Sequence, residues 1–398
     1  MSAAPAPAAP SDRAGGAGRG AGPWRTAALV LWPLALASLV HLVVESATGE
    51  AGDLRVLWRS AASLASGGPL YDPGHEYLYP PVSGWVLAPL GLLPFRTACA
   101  VLSALSAAAV VLAVLLLLRQ VGVRLRTPAG SAVAAGTLLL LVTSRPVQGL
   151  LRLGNVDLLL LLVLAVATGA LVRGRDVRAG LLLGCAVAVK PVLLPALAAL
   201  VLIGRLRGAA AGAAALVALS AVGVLTVPDA AVFARDVLPL LLDGNRPELA
   251  PYDRSVDGAV AQLGLSQPLG PVLRAAVLAG GVWVARRCRH RPLAGLEALP
   301  VVLVASFAAS SFAWANYGAY LLPLLVTVRR ADSLVRAWPA WVGVYLATTT
   351  DAWHVQQLGQ LPDAVLRALP LWGWLLVLGT CAARLARGAR RAGGPPAA

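Results

Sequence analysis

Two residues are candidates for chemistry because largely apolar sequence surrounds them. Lys190 is the only lysine of the chain and lies in AVAVKPVLLP, and Asp53 begins the polar stretch DLRVLWRS. A lysine among apolar residues either extends its ammonium group to a polar surface or pairs with an anion such as a phosphate. A carboxylate at the position of Asp53 either caps the helix that follows or acts as a general base on a hydroxyl group. The residues alone leave both pairs of alternatives open.

Four other stretches carry hydrogen-bonding groups suited to a phosphate or a sugar. The candidates are Arg145, Gln148, Arg152 and Asn155 in SRPVQGLLRLGNVD, Arg254 in NRPELAPYDRSVDG, Trp314, Asn316 and Tyr317 in SSFAWANYGAYLLP, and Asp72, His75 and Tyr79 in LYDPGHEYLYPPV. The structural alternatives are a polar loop for the first, boundary aromatics for the third and a stiff connecting loop for the last. The second stretch is compatible with a lid.

The elements that must position these residues are membrane helices. The chain has 398 residues, of which 58% are hydrophobic and 13% charged, and long apolar runs recur along it. A helix needs about 20 apolar residues to cross a hydrocarbon core of about 30 Å. The sequence therefore predicts an all-α polytopic membrane protein with about twelve transmembrane helices.

Arginine clusters fix the predicted orientation. They fall at 119–126, 173–178, 205–207, 286–291 and 329–336, and arginine marks cytoplasmic loops. All of these clusters face inward only if residues 81–95 do not cross, so we expect an external pair of amphipathic and re-entrant helices after the first span. Residues 179–204 must likewise enter and return, turning near Lys190. The boundaries predicted are a disordered tail at 1–22, a membrane domain at 23–386 with the external loop 46–95, and a tail at 387–398.

Composition also excludes several function classes. The net charge of +15 comes from short arginine clusters between apolar runs, so nucleic acid is not the expected partner. The four cysteines show no metal or redox spacing. Walker A, GxGxxG, HExxH and CxxC motifs are missing from the sequence, which points to a ligand that is borne by lipid or is already outside.

An ordered series of motifs resembles glycosyltransferase family 87, of the C-type membrane glycosyltransferase superfamily. Each motif is weak alone, whereas their order and spacing over about residues 25–385 are specific. The matching stretches are Asp53 with Gly67–Asp72, Tyr79-Pro80-Pro81 with 89–95, Gly154-Asn155-Val156-Asp157, residues 184–191, Asn245 with Ser255–Gly258, and Ser311–Tyr317.

The resemblance implies a fold of the C-type glycosyltransferases and inverting transfer from a polyprenyl-phosphate sugar. It places the site on the external face of the plasma membrane and implies neither metal nor cofactor. The sugar it implies is most often mannose and in some members arabinose, and the acceptor is a lipid or glycan. Asp53 matches the general base, and Lys190, Arg145 and Arg152 would neutralise the departing phosphate.

One departure from the family pattern keeps other functions open. Members often place a histidine after the tryptophan of the late motif, and Asn316 stands there in WANY. Asparagine forms hydrogen bonds but does not carry a proton, so the donor or acceptor is expected to differ. A flippase for lipid-linked sugars and a non-catalytic scaffold are the alternatives of other classes. Membrane lipids are partners under each of them.

Overall fold

The computed structural model describes residues 21–71, 76–243, 247–266, 268–349 and 359–392. Every element of regular structure in these ranges is helical. The α-helices are α1 (Ala21–Thr48), α2 (Gly52–Ala65), α3 (Pro81–Gly91), α4 (Phe95–Gln120), α5 (Pro128–Val142), α6 (Arg145–Leu153), α7 (Asp157–Val172), α8 (Asp176–Val189), α9 (Leu194–Leu202), α10 (Leu206–Thr226), α11 (Leu238–Asp243), α12 (Val256–Gln262), α13 (Leu269–Cys288), α14 (Ala294–Ala308), α15 (Leu322–Leu325), α16 (Trp338–Thr349), α17 (Gln360–Arg367) and α18 (Leu369–Ala392). Short 3-10 helices cover Pro191–Leu193, Pro247–Tyr252, Ala315–Leu321 and Val326–Arg329.

The helices are those of a multi-pass membrane protein. Five of those described, α1, α4, α10, α13 and α18, are long and apolar enough to cross a bilayer, judged by length and composition. Helices α5 and α6 bend by 63° at their junction and raise the number to six if they form one span. Shorter apolar helices at Asp157–Val172, Pro191–Leu202 and Ala294–Ala308 lie among them. This count does not confirm the twelve spans expected. At the C-terminal end, α18 continues past the expected boundary at residue 386.

Helices α2 and α3 form a packed pair between the first two long helices. The apolar face predicted for α2 is the buried one, with Leu54, Leu57 and Leu64 each less than 5% exposed. A Cβ on Gly91 of α3 would lie 2.4 Å from the backbone nitrogen of Ala62, so only glycine allows this approach. Two packed helices therefore occupy the place of the expected pair, and the external, re-entrant position of that pair stays a prediction.

Helices α8 and α9 form a hairpin with Lys190 at its tip. Pro191 disfavours helical geometry in the residue before it, and Lys190 is extended at φ −146° and ψ 116°. The chain returns to its starting side, because Arg205 Nη1 lies 3.3 Å from Asp176 Oδ2. Fourteen residues of α8, at about 1.5 Å each, separate that ion pair from Lys190 by roughly 20 Å. The enter-and-return path expected for residues 179–204 is what the structure contains.

Candidate active site

Asp53 lies in the first turn of α2, which excludes the alternative that it caps this helix. The N-cap residue is Ala51, at φ 43°, and no side chain caps the helix end. The helix starts two residues earlier than a cap at Asp53 would require, and the Asp53 carboxylate is directed to another part of the chain. Asn155 Nδ2 donates a hydrogen bond to Asp53 Oδ2 at 2.7 Å. The capping alternative is therefore wrong, and the carboxylate is left for a binding or chemical role.

The stretch that holds Asn155 brings it against α2. Residues 145–153 form helix α6, whereas a polar loop was the structural alternative. Gly154 ends α6 in the left-handed region at φ 69°. A Cβ on Gly154 would lie 2.6 Å from the Cβ of Leu54, so α6 ends in direct contact with α2. Any side chain at Gly154 would push Asn155 away from Asp53.

Asn155 has a fixed amide orientation. Its Oδ1 accepts hydrogen bonds from the backbone nitrogen of Asp157 at 3.0 Å and from Lys190 Nζ at 3.1 Å. Two donors require the oxygen on that side, so the NH₂ group faces Asp53. Among the described residues, the second carboxylate oxygen of Asp53, Oδ1, accepts no hydrogen bond, which leaves it available to a ligand.

Lys190 is held at the hairpin tip by a buried carboxylate. Its Nζ lies 2.8 Å from Asp157 Oδ1, and the Asp157 side chain is only 2% exposed. Tyr320 donates a hydrogen bond to the same oxygen at 3.1 Å. The Lys190 ammonium also lies 5.2 Å from the centroid of the Tyr79 ring. The alternative that Lys190 extends to a polar surface is therefore wrong, since it is paired inside the protein.

Asp157 and Tyr320 were missed as site residues by the sequence reasoning. Asp157 ends the Gly154-Asn155-Val156-Asp157 motif and begins an apolar helix, and an acid at that place needs a cationic partner. Lys190, the only lysine of the chain, was the cationic partner to expect for Asp157. Together Asp53, Asn155, Asp157 and Lys190 form a continuous hydrogen-bonded chain, which we call the Asp53–Lys190 network.

The electrostatic state of Asp53 follows from this setting. Burial raises the pKa of the Asp53 carboxyl above its ordinary value, while the hydrogen bond from Asn155 and the charge of Lys190 act to lower it. A carboxylate whose pKa is raised in this way is a stronger base than a solvated one. The Asp53 carboxylate can therefore accept a proton from a hydroxyl group that reaches its Oδ1.

The loop around Tyr79 is tied to the same side of the protein. The Tyr71 hydroxyl donates to the Tyr79 carbonyl at 2.9 Å, and the backbone nitrogen of Tyr71 donates to Asp229 Oδ2 at 2.7 Å. Asp229 therefore anchors this loop to the end of α10. Asp72 and His75, which were predicted to contact an acceptor, lie outside the described residues.

The two arginines predicted to bind phosphate differ in their surroundings. Arg145 is exposed in the first turn of α6, and its guanidinium makes no hydrogen bond or ion pair with the described residues. Arg152 Nε lies 2.9 Å from Glu45 Oε1 and is therefore already paired. Gln148 Nε2 donates to the Thr143 carbonyl at 3.2 Å.

The late aromatic motif lies beside α6 and the network. Asn316 packs on Gly149 of α6, since a Cβ built there would lie 2.7 Å from Asn316 Oδ1. The Tyr317 ring stacks on Phe307 at 4.5 Å between centroids, and Trp314 contacts Phe312 at 4.9 Å. This 3-10 helix thus holds Tyr320 against Asp157 and Asn316 against α6.

Arg254 lies in a different environment from the one predicted. It is 3% exposed, and its Nη1 donates to the carbonyls of Pro251 and Asp253. The backbone nitrogens of Ser255 and Ala313 donate to Asp253 Oδ1 at 2.8 and 3.0 Å. These contacts tie residues 251–255 to the late motif, so Arg254 holds backbone together. Asn245 lies outside the described residues.

Within the described ranges, no group of three or more His, Cys, Asp or Glu side chains is placed to hold a metal ion. The carboxylate nearest to Asp53 in the Asp53–Lys190 network is Asp157, which is already paired with Lys190.

Comparisons with known proteins assign the chain to a family. The family model for glycosyltransferase family 87 matches residues 77–311. An α-(1→3)-arabinofuranosyltransferase of Mycobacterium tuberculosis is 28% identical over 364 residues, covering 87% of this chain and 82% of that protein. The one of Mycolicibacterium smegmatis is 28% identical over 369 residues, 88% and 83% of the two chains.

A relative with a different printed activity also matches. The polyprenol-phosphate-mannose-dependent α-(1-2)-phosphatidylinositol pentamannoside mannosyltransferase of M. tuberculosis is 30% identical over 293 residues, or 69% of this chain and 65% of that protein. No solved structure matches the chain.

Proposed function

The chain belongs to glycosyltransferase family 87, and we propose that it transfers a sugar from a polyprenyl-phosphate donor to a hydroxyl group of a lipid or glycan acceptor. The observation that carries the proposal is the Asp53 carboxylate, which Asn155 holds by one oxygen while the other stays available. A base with a raised pKa, a basic helix end at Arg145 and a lipid-embedded scaffold match the needs of this reaction.

In the proposed reaction Asp53 acts as the general base. Its Oδ1 accepts the proton of the acceptor hydroxyl while that oxygen attacks the anomeric carbon of the donor. The bond from the anomeric carbon to the phosphate oxygen breaks on the opposite face, so the configuration inverts. The lipid phosphate leaves with the bonding electron pair.

The positive charge near the departing phosphate has three proposed sources. Arg145 is the strongest candidate by charge, because it is exposed and unpaired among the described residues, and a guanidinium binds phosphate in a bidentate manner. Lys190 and Arg152 are offset by Asp157 and Glu45. Lys190 therefore acts chiefly on the orientation of Asn155, and it adds a weaker electrostatic contribution to the phosphate.

The remaining predicted residues are assigned to the sugar and the acceptor. Tyr79, Asn316 and Tyr317 border the Asp53–Lys190 network and are proposed to contact the sugar. The others are proposed for the acceptor and stay predictions: Asp72, His75, Gln148, Arg254 and Trp314. For Arg254, burial among backbone carbonyls supports an indirect role through the 251–255 segment.

The sugar is proposed to be arabinofuranose ahead of mannose. The sequence resemblance alone placed mannose first. Relatives named α-(1→3)-arabinofuranosyltransferases match over 82–83% of their own length, whereas the mannosyltransferase matches over 65%. The longer coverage supports the arabinofuranosyl donor.

The proposed topology places the site on the external face of the plasma membrane. The Asp53–Lys190 network and the ion pair of Asp176 with Arg205 lie at opposite ends of α8. Since arginine-rich loops are cytoplasmic, the network faces outward. The twelve passes predicted count the short helices α8 and α9 as separate crossings and stay a prediction.

The donor assay tests the function directly. We expect membranes that contain the protein to transfer label from polyprenyl-phosphate arabinofuranose to an endogenous lipid or glycan acceptor, and to do so in the presence of a metal chelator. Polyprenyl-phosphate mannose is the parallel donor, and membranes without the protein are the control. Greater transfer of mannose would reverse the donor preference. Transfer from neither donor would contradict the proposed function.

A pH profile tests the link between Asn155 and Asp53. The hydrogen bond from Asn155 lowers the pKa of Asp53, so its removal in Asn155→Ala raises that pKa further. Because the base works only when deprotonated, the acid limb of kcat/KM is expected to move to higher pH. Activity above that limb should fall less than activity below it.

The matched control for this experiment is Gln148→Ala, which removes an amide from α6 without touching Asp53. Its acid limb is expected to coincide with that of the wild type. An unshifted limb in Asn155→Ala would show that Asp53 is not the group that titrates.

A further inference from the structure

The end of α13 forms an open basic groove. A cavity of about 670 Å³ is lined by Ala279, Val282, Trp283, Arg286, Arg287, Arg289 and His290. A second cavity of about 310 Å³ is lined by Val201, Leu202, Gly204, Arg286 and Arg289. Both cavities share Arg286 and Arg289, so the two adjoin between α13 and the end of α9. We call it the α13 groove.

The positive charge of the α13 groove is uncompensated. None of the described lining residues is acidic, and no described ion pair includes Arg286, Arg287 or Arg289. The Arg287 guanidinium lies 5.4 Å from the centroid of the Trp283 ring. By contrast, Arg205, next to lining residue Gly204, and Arg291, which follows His290, are paired with acids. The groove therefore concentrates guanidinium groups that have no anionic partner in the part of the chain that the structure describes.

The position of the groove along α13 matches the headgroup level of a bilayer. Helix α13 has 20 residues and is about 30 Å long, which equals the thickness of the hydrocarbon core. Val272, Leu273 and Leu278 are exposed along it, so this helix presents an apolar face outward. Arg286 and Arg287 occupy its last turn, and Trp283 precedes them at the level where interfacial aromatics lie.

We propose that the α13 groove binds the headgroup of an anionic phospholipid from the leaflet opposite the Asp53–Lys190 network. The guanidinium groups of Arg286 and Arg289 bind the phosphate, and the acyl chains lie along Val282 and Val201. Basic pockets between membrane helices bind lipid headgroups in this way. A lipid fits better than free phosphate, because apolar residues of two helices line the groove. The site is distinct from the transfer site and does not depend on the proposed reaction.

Native mass spectrometry of the detergent-solubilised protein tests the proposal. The protein is titrated with phosphatidylglycerol and, in parallel, with phosphatidylcholine of the same acyl chains. We expect the wild type to retain phosphatidylglycerol at a concentration at least tenfold lower than phosphatidylcholine. Arg286→Gln combined with Arg289→Gln should abolish this preference, and an excess of inorganic phosphate should not displace the lipid from the wild type.

The matched control is Arg124→Gln combined with Arg126→Gln, which removes the same charge from another arginine-rich loop. This variant is expected to keep the preference. Equal retention of both lipids by the wild type would overturn the proposal, as would an unchanged preference in the groove variant. Displacement by inorganic phosphate would show a simple anion site. The lipid comparison in the wild type decides the question even where the double variant fails to fold.

Discussion

Replacing Asp53 with asparagine is expected to reduce sugar transfer by about 10²–10⁴-fold, the usual contribution of a general base. The substitution keeps the shape of the side chain, and the new amide oxygen still accepts the hydrogen bond from Asn155. It removes the oxygen that takes the proton of the acceptor. The effect should appear in kcat and in kcat/KM, since the proton transfer occurs in the chemical step.

The fold of Asp53→Asn should remain close to that of the wild type. Burial raises the pKa of Asp53, so the folded protein does not favour the charged form, and loss of the charge does not destabilise it. Asp236→Asn is the control, because it removes a half-buried carboxylate that forms an ion pair with the neighbouring Arg235. Transfer at the wild-type rate by Asp53→Asn would rule out Asp53 as the base.

The features best predicted from the sequence are those that depend on neighbouring residues. The apolar spacing of Leu54, Leu57, Ala61 and Leu64 predicted the buried face of α2, and all four are buried. The proline after Lys190 predicted the break of the hairpin. Each of these follows from neighbouring residues, through helical periodicity or through the steric effect of proline.

Contacts between distant segments were not predictable in the same way. Asp157 and Lys190 are 33 positions apart in the sequence and meet because α7, α8 and the hairpin tip pack together. Helix α6 was also missed, although Pro146 near its start and Gly154 at its end are ordinary helix signals. Its polar residues, Arg145, Gln148 and Arg152, suggested a loop, whereas burial of Val147 and Leu150 stabilises the helix.

These differences change the interpretation of Lys190. From sequence it either extended to a polar surface or bound an anion such as a phosphate, and in the structure its charge is offset by Asp157. Its hydrogen bond to Asn155 then links it to the orientation of Asp53. A lysine with this role acts on the reaction through another side chain, which is a testable difference from direct binding of phosphate.

Lys190→Met is expected to destabilise the protein strongly. It leaves Asp157, which is 2% exposed, without its cation, and an unpaired buried charge destabilises a protein by about 3–5 kcal/mol. The loss is measured as a lower apparent Tm of the solubilised protein. Adding Asp157→Asn removes the orphaned charge, so the double variant should recover most of the stability.

Transfer in the double variant separates the two roles of Lys190. If Lys190 orients Asn155, kcat per folded molecule stays at least about tenfold low while the KM for the donor changes little, because an interaction made only in the transition state has been lost. A large rise in the donor KM would instead indicate direct phosphate binding.

The control is a second buried ion pair, Arg291 with Glu297, in which Glu297 is equally buried at 2% exposure. Arg291→Met should lower the Tm similarly and leave transfer per folded molecule unchanged, since this ion pair lies at the end of the protein away from Asp53. Full recovery of transfer along with stability in the Lys190 and Asp157 double variant would show that the pair serves the fold alone.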